Sequence, residues 1–474
     1  MAGFSGIFPR MSRRTETDSL GPIEVPGDVY YGAQTQRAIE NFPVSGQRFP
    51  RRFVEALGLI KWAAAAENRA RGDIEARLAD AIAEAAEEVI AGRHDRDFVL
   101  DVFQTGSGTS TNMNANEVIS NRAIELLGGR IGSKTPVHPN DHVNYGQSSN
   151  DVIPTATHIA ALLGIRDDLL PALGKLERSL AAKAQEFAGV AKTGRTHLMD
   201  AAPVTLGQEF SGYAAQIERG RKRVAESQAR LCELPLGGTA VGTGLNAPEG
   251  YARALITRIA GRTRLPIVEA PNHFEAQGAR DGCVEASGAL RTVAVSLMKI
   301  ANDLRWLGSG PRAGLAEIQL PALQPGSSIM PGKVNPVIPE MCRQVAAQVM
   351  GNDLAVSIGG ALGDFELNVM VPLITHNLLQ SITILAQGCD LLAVRCVDGI
   401  VANLEKCRGD AERNLQIGAA LNPVIGYERA GKIVKQAAES GKSIREVAEA
   451  ERVLPSEELE RVLDPLRLTR GGVI

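Results

Sequence analysis

The sequence is poor in aromatic residues and in excess charge of either sign. Phe, Trp and Tyr together make up 4% of its 474 residues, and 51 basic side chains face 54 acidic ones, so the formal net charge is −3. A nearly neutral chain is a poor candidate for a nucleic-acid coat or a polybasic membrane binder. An all-β sandwich would favour Val, Thr and aromatic residues in its strands, so the composition also argues against that fold class.

Paired cysteines and long apolar runs are missing as well. The six cysteines, scattered from Cys232 to Cys407, form no C-x-x-C pair, and none has zinc-finger spacing to a histidine. We therefore expect reduced thiols, as in a cytosolic protein, and no bound metal. No stretch of about 18 apolar residues is uninterrupted, so we expect no membrane span. Met1 to Arg14 are interpreted as a short unstructured lead, with a truncated organellar targeting segment as the alternative.

What the sequence has in abundance is alanine, arranged with helical periodicity. Alanine is the strongest helix former, and its small side chain lets neighbouring helices approach closely. The longest helical signals cover residues 208–231, which alternate charged and apolar faces, and residues 279–307, 339–358 and 371–396. Several of these segments have apolar residues on more than one face, and 371–396 is almost as apolar as a core strand. Segments of this length predict an all-α protein built around a long helical bundle. Because so apolar a helix is usually covered by other protein, we also expect an oligomer.

Glycine, proline and changes in helix length predict three domains. Residues 1–145 form a mostly helical N-terminal domain, which opens with a Gly- and Pro-punctuated, hairpin-like segment at 15–50. Residues 146–405 contain the long helices of the central bundle. Residues 406–474 contain shorter helical segments, near 433–438 and 443–451, and form a small C-terminal helical domain.

Three polar loops that interrupt the helices are candidates for a functional site. Loop 104–114 is rich in small and hydroxyl residues, which let backbone N–H groups approach an anion and add further donors. Loop 193–201 places His197 beside an arginine and a threonine, as a candidate acid or base. Loop 326–336 lacks the phosphate-loop spacing around Lys333, and it suits closure over a small anion instead. The alternatives are, in the same order, a surface turn, a structural histidine and a flexible linker.

A fourth polar cluster lies between residues 138 and 151. His138, Asn140 and Asp141 stand close together there and precede a Ser-Ser-Asn-Asp run. A metal site is one alternative, but no further cysteine or carboxylate stands at ligand spacing. Hydrogen bonding to a carboxylate is the preferred interpretation.

The third loop, which reads GSSIMPGKVN over residues 326–335, resembles the signature of the fumarase/aspartase superfamily. The resemblance runs from about Arg14 over nearly the whole chain, with four loops in matching order. Within the superfamily the sequence is most similar to class II fumarate hydratases, because His197 stands where aspartases carry Gln and Gly332 where they carry Ala. One position departs from this pattern, since Ser110 stands where many fumarases have Gln.

The resemblance implies a three-domain, all-α fold that assembles as a homotetramer with a twenty-helix core and active sites built from three subunits. It implies a fumarate hydratase of the tricarboxylic acid cycle, which removes water from (S)-malate by reversible anti elimination through an aci-carboxylate intermediate. The expected enzyme is cytoplasmic, uses no metal or cofactor, and binds a small dicarboxylate but no nucleic acid or membrane. The alternatives are an aspartate ammonia-lyase of the same superfamily and a non-catalytic protein on the same scaffold.

The resemblance also implies roles for individual residues. Ser327 is the implied base for the C3 proton of malate, His197 the acid that protonates the departing hydroxyl, and Glu340 the residue that orients His197. The implied substrate-binding residues are Ser107, Thr109, Ser148, Ser149, Asn150, Thr196, Ser328, Lys333 and Asn335. The implied secondary anion site consists of His138, Asn140 and Asp141.

Overall fold

The structure, a computed structural model, describes residues 12–472 and consists mainly of helices. Helices hold 62% of the residues and strands only 8%, which confirms the all-α prediction. The helices are α1 (Ala33–Asn41), α2 (Arg51–Arg71), α3 (Ala76–Ile90), α4 (Thr109–Leu126), α5 (Ser149–Gly164), α6 (Leu170–Glu186), α7 (Leu206–Leu231), α8 (Tyr251–Thr263), α9 (His273–Gly278), α10 (Asp281–Leu307), α11 (Val337–Gly360), α12 (Val371–Arg395), α13 (Leu404–Arg413), α14 (Asn422–Ile425), α15 (Tyr427–Ser440), α16 (Ile444–Ala450), α17 (Ser456–Val462) and α18 (Pro465–Leu468).

The strands are short and pair two by two. The pairs are β1 (Arg13–Asp18) with β2 (Gly21–Pro26), β3 (Ala191–Thr196) with β4 (Met199–Thr205), β5 (Glu233–Leu234) with β6 (Val268–Glu269), β7 (Ile318–Gln319) with β10 (Val401–Ala402), and β8 (Gly363–Asp364) with β9 (Leu367–Asn368). All are antiparallel except β5 with β6. Such isolated pairs need the surrounding helices for stability.

The chain divides into two compact units, each assembled from three stretches of sequence. Unit 1 takes the described residues up to 170 together with 223–291 and 348–384. Unit 2 takes 171–222, 292–347 and the described residues from 385 onward. The three-domain division at 145 and 405 remains a prediction.

Unit 1 illustrates why small residues are so frequent in this sequence. Along α2 and α3, alanines occupy eight of the 20 buried positions, and Gly58 of α2 faces the end of α3. A Cβ added at Gly58 would lie 2.9 Å from Cγ1 of Ile90, well inside van der Waals contact. The close approach of the two helices therefore depends on the missing side chain.

Unit 2 contains a small hydrophobic core near the C-terminus of the chain. Leu421, Ile444, Leu459, Val462 and Leu463 are completely buried there. Helix α16 begins with a capping box, because Ser443 accepts from the Glu446 N–H while the Glu446 carboxylate accepts from Ser443. The helical segments predicted near 433–438 and 443–451 are confirmed as α15 and α16.

The first part of the chain is more regular than its Gly and Pro residues suggest. The hairpin-like lead-in is confirmed as β1 and β2, but the helix α1 was not predicted within it. The prediction of an unstructured lead is wrong for Arg13 and Arg14, which belong to β1. Ser12 lies in no helix or strand, and residues 1–11 lie outside the described residues.

Two of the predicted loops contain regular structure. Residues 109–114 of the first loop form the start of α4, because Gly108 adopts φ +73° and turns the chain into the helix. The second loop is a hairpin of β3 and β4 rather than a connection between helices. Its tip residues His197 and Leu198 have φ of 57° and 61°, as a tight hairpin turn requires at both central positions.

Within residues 12–472, one segment, Val371–Gly399, is long and apolar enough by length and composition to cross a membrane. Core helices of soluble proteins meet the same criterion, and 61% of its most apolar window is buried inside the protein. The segment is therefore weak evidence for a membrane span.

The cysteines are all free thiols, and five of the six are buried. Burial raises the pKa of Cys389 and of Cys396 to about 12. Because the thiolate is the reactive form, these buried thiols are poor nucleophiles at neutral pH.

Candidate active site

The first group of candidate residues in unit 1 lies where α4 begins. The hydroxyl oxygens of Ser107 and Thr109 are 2.7 Å apart, on either side of Gly108. A Cβ at Gly106 would lie 1.9 Å from the carbonyl oxygen of Val369, so the backbone here is packed too closely for any side chain. The first turn of a helix has free N–H groups and the positive end of the helix dipole, and both favour an anion.

The second group in unit 1 lies where α5 begins. Ser148 caps this helix by accepting from the Asn150 N–H at 3.2 Å, while Asp151 accepts from the Ser148 N–H at 3.0 Å. The fully buried Asp151 carboxylate also accepts from the N–H groups of Gly237 and Thr239, each at 3.0 Å. Desolvation raises the pKa of Asp151 despite these hydrogen bonds. The cap and its buried acid hold the Ser148 turn in one conformation.

The two helix starts are joined to each other. Asn112 of α4 donates from Nδ2 to Ser149 Oγ at 2.9 Å, and a Cβ at Gly108 would lie 2.8 Å from Cγ2 of Ile153 in α5. Unit 1 therefore brings Ser107, Thr109 and the start of α5 into one region, with two helix N-termini side by side.

The predicted secondary anion site forms a separate turn of unit 1. His138 precedes a short π-helical turn, Pro139–Val143, and its Nδ1 accepts from the N–H groups of Asn140 and Asp141 at 3.3 and 3.2 Å. The Asp141 carboxylate lies 3.2 Å from the same nitrogen. Burial lowers the pKa of the neighbouring His142, whose Nδ1 accepts from the His138 N–H. Within residues 12–472 no group of three His, Cys, Asp or Glu side chains is arranged to hold a metal.

In unit 2, the β3–β4 hairpin presents Thr196 and His197 to solvent at its tip. Glu317, which is completely buried, holds the hairpin through contacts with two residues of β3. Arg195 donates to both carboxylate oxygens of Glu317 at 3.0 Å, and Lys192 Nζ lies 3.2 Å from one of them. Lys192 also contacts Glu209 at 2.8 Å, and burial raises the pKa of Glu209. A buried cluster of charges thus fixes the strand that ends at the candidate acid.

The loop 326–335 of unit 2 is closed on itself by its own hydrogen bonds. The Gly326 N–H donates to the Lys333 carbonyl at 2.7 Å, and Asn335 Nδ2 donates to the Gly326 carbonyl at 2.7 Å. Ser327 Oγ accepts from the N–H groups of Ile329 and Met330 at 3.3 and 3.0 Å. Two donors on a hydroxyl oxygen favour its deprotonated form.

A cleft of about 410 Å³ opens beside this loop, and both Ser327 and Lys333 line it. Ser328 and Lys333 are exposed, whereas Glu340 is half-buried in the first turn of α11. Among the described residues, no hydrogen bond or ion pair joins Glu340 to His197. The predicted orienting contact is therefore not present within the chain, while Ser327, Lys333 and Asn335 do share one loop.

Sequence reasoning missed several residues that support the site. Lys61 of α2 and Glu317 are fully buried charged residues, and Asn112 and Asn144 link the helix starts of unit 1. A signal for Lys61 was visible, because it is a single lysine in the otherwise apolar run from Leu59 to Ala66. The two asparagines lie in the polar segments 104–114 and 138–151, but the sequence does not distinguish them from the other polar residues there.

Comparison with known proteins agrees with the motifs. A family model described as lyase matches residues 21–351, and one described as the fumarase C C-terminus matches residues 418–470. The chain is 52% identical over 455 residues to the class II fumarate hydratase of Ralstonia nicotianae, covering 96% of this chain and 99% of the relative. It is 54% identical over 463 residues to the class II fumarate hydratase of Mycobacterium tuberculosis, covering 97% and 96%.

A solved structure agrees in fold over the same length. The recombinant class II fumarase from Schistosoma mansoni superimposes with a TM-score of 0.93 at 41% sequence identity. The match covers 97% of this chain and 99% of that one.

Proposed function

The chain belongs to the class II fumarate hydratase family and is a hydro-lyase, and we propose a residue-level account of how it interconverts (S)-malate and fumarate. Class II fumarases act without a metal, so the chain's own side chains and backbone have to supply the chemistry. The observation that carries the proposal is the pair of backbone N–H groups on Ser327 Oγ, in a loop that also bears Lys333.

In the first step, Ser327 takes a proton from C3 of malate. The electron pair of the broken C–H bond moves into the neighbouring carboxylate and forms an aci-carboxylate dianion. This intermediate requires positive charge and hydrogen-bond donors around it. The two N–H groups on Ser327 Oγ stabilise the serine alkoxide that acts as the base.

Lys333 and Asn335 bind the carboxylate that becomes the dianion. The exposed ammonium of Lys333 supplies the positive charge, and the other donors complete the binding of the substrate. The proposed additional substrate-binding residues are Ser107, Thr109, Ser148, Ser149, Asn150, Thr196 and Ser328. The positive ends of the helix dipoles at the starts of α4 and α5 support this assignment.

In the second step, the C2–O bond breaks and the double bond of fumarate forms. His197 delivers a proton to the departing hydroxyl, directly or through a water, and the product is water. Its exposed position at the hairpin tip gives it access to a substrate. Because no hydrogen bond or ion pair joins the two residues within the described part of one chain, Glu340 of another subunit orients His197 in the proposed tetramer.

The proposed assembly is a cytoplasmic homotetramer with a twenty-helix core, in which three subunits contribute to each active site. Half-exposed apolar residues on the long helices, such as Val295, Leu354 and Ile358, support burial against other subunits. His138, Asn140 and Asp141 form the proposed secondary anion site. The backbone N–H groups of Asn140 and Asp141 lie 3.3 and 3.2 Å from His138 Nδ1, so the three residues form one compact turn.

Substrate profiling tests the function. The enzyme is incubated with malate, aspartate and argininosuccinate in the presence of a chelator, and fumarate is measured by its ultraviolet absorbance. Fumarate from malate alone is the expected result. Ammonia release from aspartate would identify an aspartate ammonia-lyase instead. The Ser327→Ala variant should lower kcat by about 10²–10⁴, the usual effect of losing one acid or base, and full activity would refute its role as the base.

A further inference from the structure

Lys61 is a fully buried lysine next to the proposed substrate-binding residues. It lies in the middle of α2, and its ammonium donates to Asn144 Oδ1 at 3.0 Å and to Gln147 Oε1 at 2.9 Å. Among the described residues no carboxylate lies within ion-pair distance of its Nζ. Burial of a charge with only amide oxygens as partners is unfavourable, and an apolar side chain of the same size would avoid that cost. The lysine therefore calls for an explanation beyond packing.

The lysine and nearby backbone carbonyls together set which way its two amide partners face. A lysine side chain has only donors, so the oxygens of Asn144 and Gln147 have to point towards it. Gln147 Nε2 then donates to the carbonyl groups of Val143 and Tyr145, at 3.1 and 3.2 Å. Asn144 Nδ2 donates to the Gln147 carbonyl at 3.1 Å. Burial lowers the pKa of Lys61 to about 7, and both of its protonation states carry the two N–H donors that these contacts use.

The orientation of Asn144 sets that of Asn112 in turn. Because Asn144 Oδ1 is an acceptor, Asn112 presents Nδ2 to it at 3.1 Å and to Ser149 Oγ at 2.9 Å. Asn112 Oδ1 is buried and accepts no hydrogen bond from the described residues. With Ser149 Oγ already accepting from Asn112, the hydroxyl proton of Ser149 is available to donate to another group.

We propose that Lys61 is a positioning residue, which sets the direction of a hydrogen-bond relay through Asn144 and Asn112 so that the Ser149 hydroxyl donates its proton to the substrate carboxylate. The inference rests on the proposed function, because it takes Ser149 as a substrate-binding residue. Without Lys61, the Asn144 amide loses its charged partner and is held by neutral contacts, among them the Gln147 carbonyl on Nδ2 and Asn116 Nδ2 on Oδ1, at 3.1 and 3.2 Å. Its flipped orientation therefore becomes more populated. Asn112 then offers its oxygen to Ser149, and the serine proton turns inward to it, away from the substrate.

A double-mutant cycle tests the relay through kcat and KM for fumarate. The variants are Lys61→Met, Ser149→Ala and the combination of both. Loss of one charge-assisted hydrogen bond should raise KM by about tenfold to a hundredfold in Ser149→Ala. Lys61→Met should also raise KM with a smaller change in kcat, and the double variant should be no worse than Ser149→Ala alone. A double variant whose loss equals the product of the two single losses would overturn the relay, as would an unchanged KM in Lys61→Met.

A second pair of variants decides the question if Lys61→Met does not fold. Asn112→Asp replaces the donor to Ser149 by a group with at most one O–H, which cannot serve both Asn144 and Ser149. Asn114→Asp is the matched control, since Asn114 is an equally buried amide on α4 that donates to the Asp97 carbonyl at 2.9 Å, outside the relay. KM should rise in Asn112→Asp and stay within about twofold of wild type in Asn114→Asp. Equal increases in both would overturn the relay.

The wild-type enzyme separates this inference from the function on which it rests. If wild type converts fumarate but the cycle is multiplicative, the relay is wrong and the hydratase activity stands. If wild type leaves both fumarate and malate unchanged, the proposed function fails and the relay fails with it.

Discussion

Replacement of Glu317 by glutamine isolates the contribution of the buried charges beneath the His197 hairpin. Glu317 is completely buried and contacts Arg195 through both of its oxygens at 3.0 Å and Lys192 at 3.2 Å. Gln has almost the same shape but no charge, so Glu317→Gln removes the anion while it leaves the packing nearly intact. Lys192 keeps its second partner, Glu209, at 2.8 Å. The main consequence is therefore an uncompensated charge on Arg195.

Breaking a buried ion pair from one side costs about 3–5 kcal/mol, because the remaining charge stays desolvated. We expect the lower half of that range, since Lys192 remains paired. For a cooperative unit of roughly 150–250 residues, each kcal/mol lowers Tm by about 2–4 °C, so the expected decrease is about 6–16 °C. His197 follows Arg195 by two residues, so a loosened hairpin should also lower kcat, with an expected loss of about tenfold or more.

The assay combines thermal unfolding with kcat for malate. The matched control is Glu412→Gln, because Glu412 pairs with Arg408 at 3.0 Å while their side chains are 49% and 83% exposed. An exposed pair of this kind contributes about 0–1 kcal/mol, so the control should lose only a few degrees of Tm and no activity. Equal decreases of Tm in the two variants would refute the reasoning that burial makes the Glu317 contacts costly to break.

Three further predictions concern activity, packing and pH. His197→Asn should lower kcat for malate by about 10²–10⁴ with little change in Tm, and a kcat equal to wild type would remove His197 from the acid role. Gly106→Ala should destabilise the protein by about 1–3 kcal/mol in urea unfolding, because the new Cβ meets the Val369 carbonyl oxygen at 1.9 Å, and an unchanged midpoint would contradict that contact. The two Arg122 hydrogen bonds to Glu88, at 2.6 and 2.9 Å, lower the pKa of this carboxyl to about 2 from 4.5. Because the folded pKa is the lower one, the stabilisation, roughly 1–2 kcal/mol after solvent screening of this partly exposed pair, is present above pH 4.5 and is lost as the pH falls towards 2. The difference in Tm between wild type and Glu88→Gln should therefore shrink on acidification, and a constant difference would rule this pair out as its source.

The helical part of the fold was predictable because helical periodicity is a local property. The long segments near 208–231, 279–307, 339–358 and 371–396 became α7, α10, α11 and α12 with shifts of a few residues at their ends. Their buried positions recur every three to four residues, so neighbouring residues alone carry the signal. The α1 helix was missed because proline and glycine flank it and obscure the same signal.

The candidate site was predictable only as a set of loops. Glycine and hydroxyl residues mark the loops 104–114 and 326–336, but composition does not tell whether such a segment remains a loop. Gly108 with φ +73° turns the first of them into a helix start, and paired strands turn 193–201 into a hairpin. These conformations depend on backbone hydrogen bonds between residues, which cannot be inferred from each residue considered alone.

By itself, the sequence determined the helix content, the identity of the loops that bear polar residues and the family to which the chain belongs. Only the tertiary structure decided which buried charges support those loops. Lys61 reaches Asn144 across 83 positions of sequence, and Arg195 reaches Glu317 across 122. A charged side chain is stable in the interior only when a partner is held at hydrogen-bond distance, and the folded chain alone determines which distant residue becomes that partner.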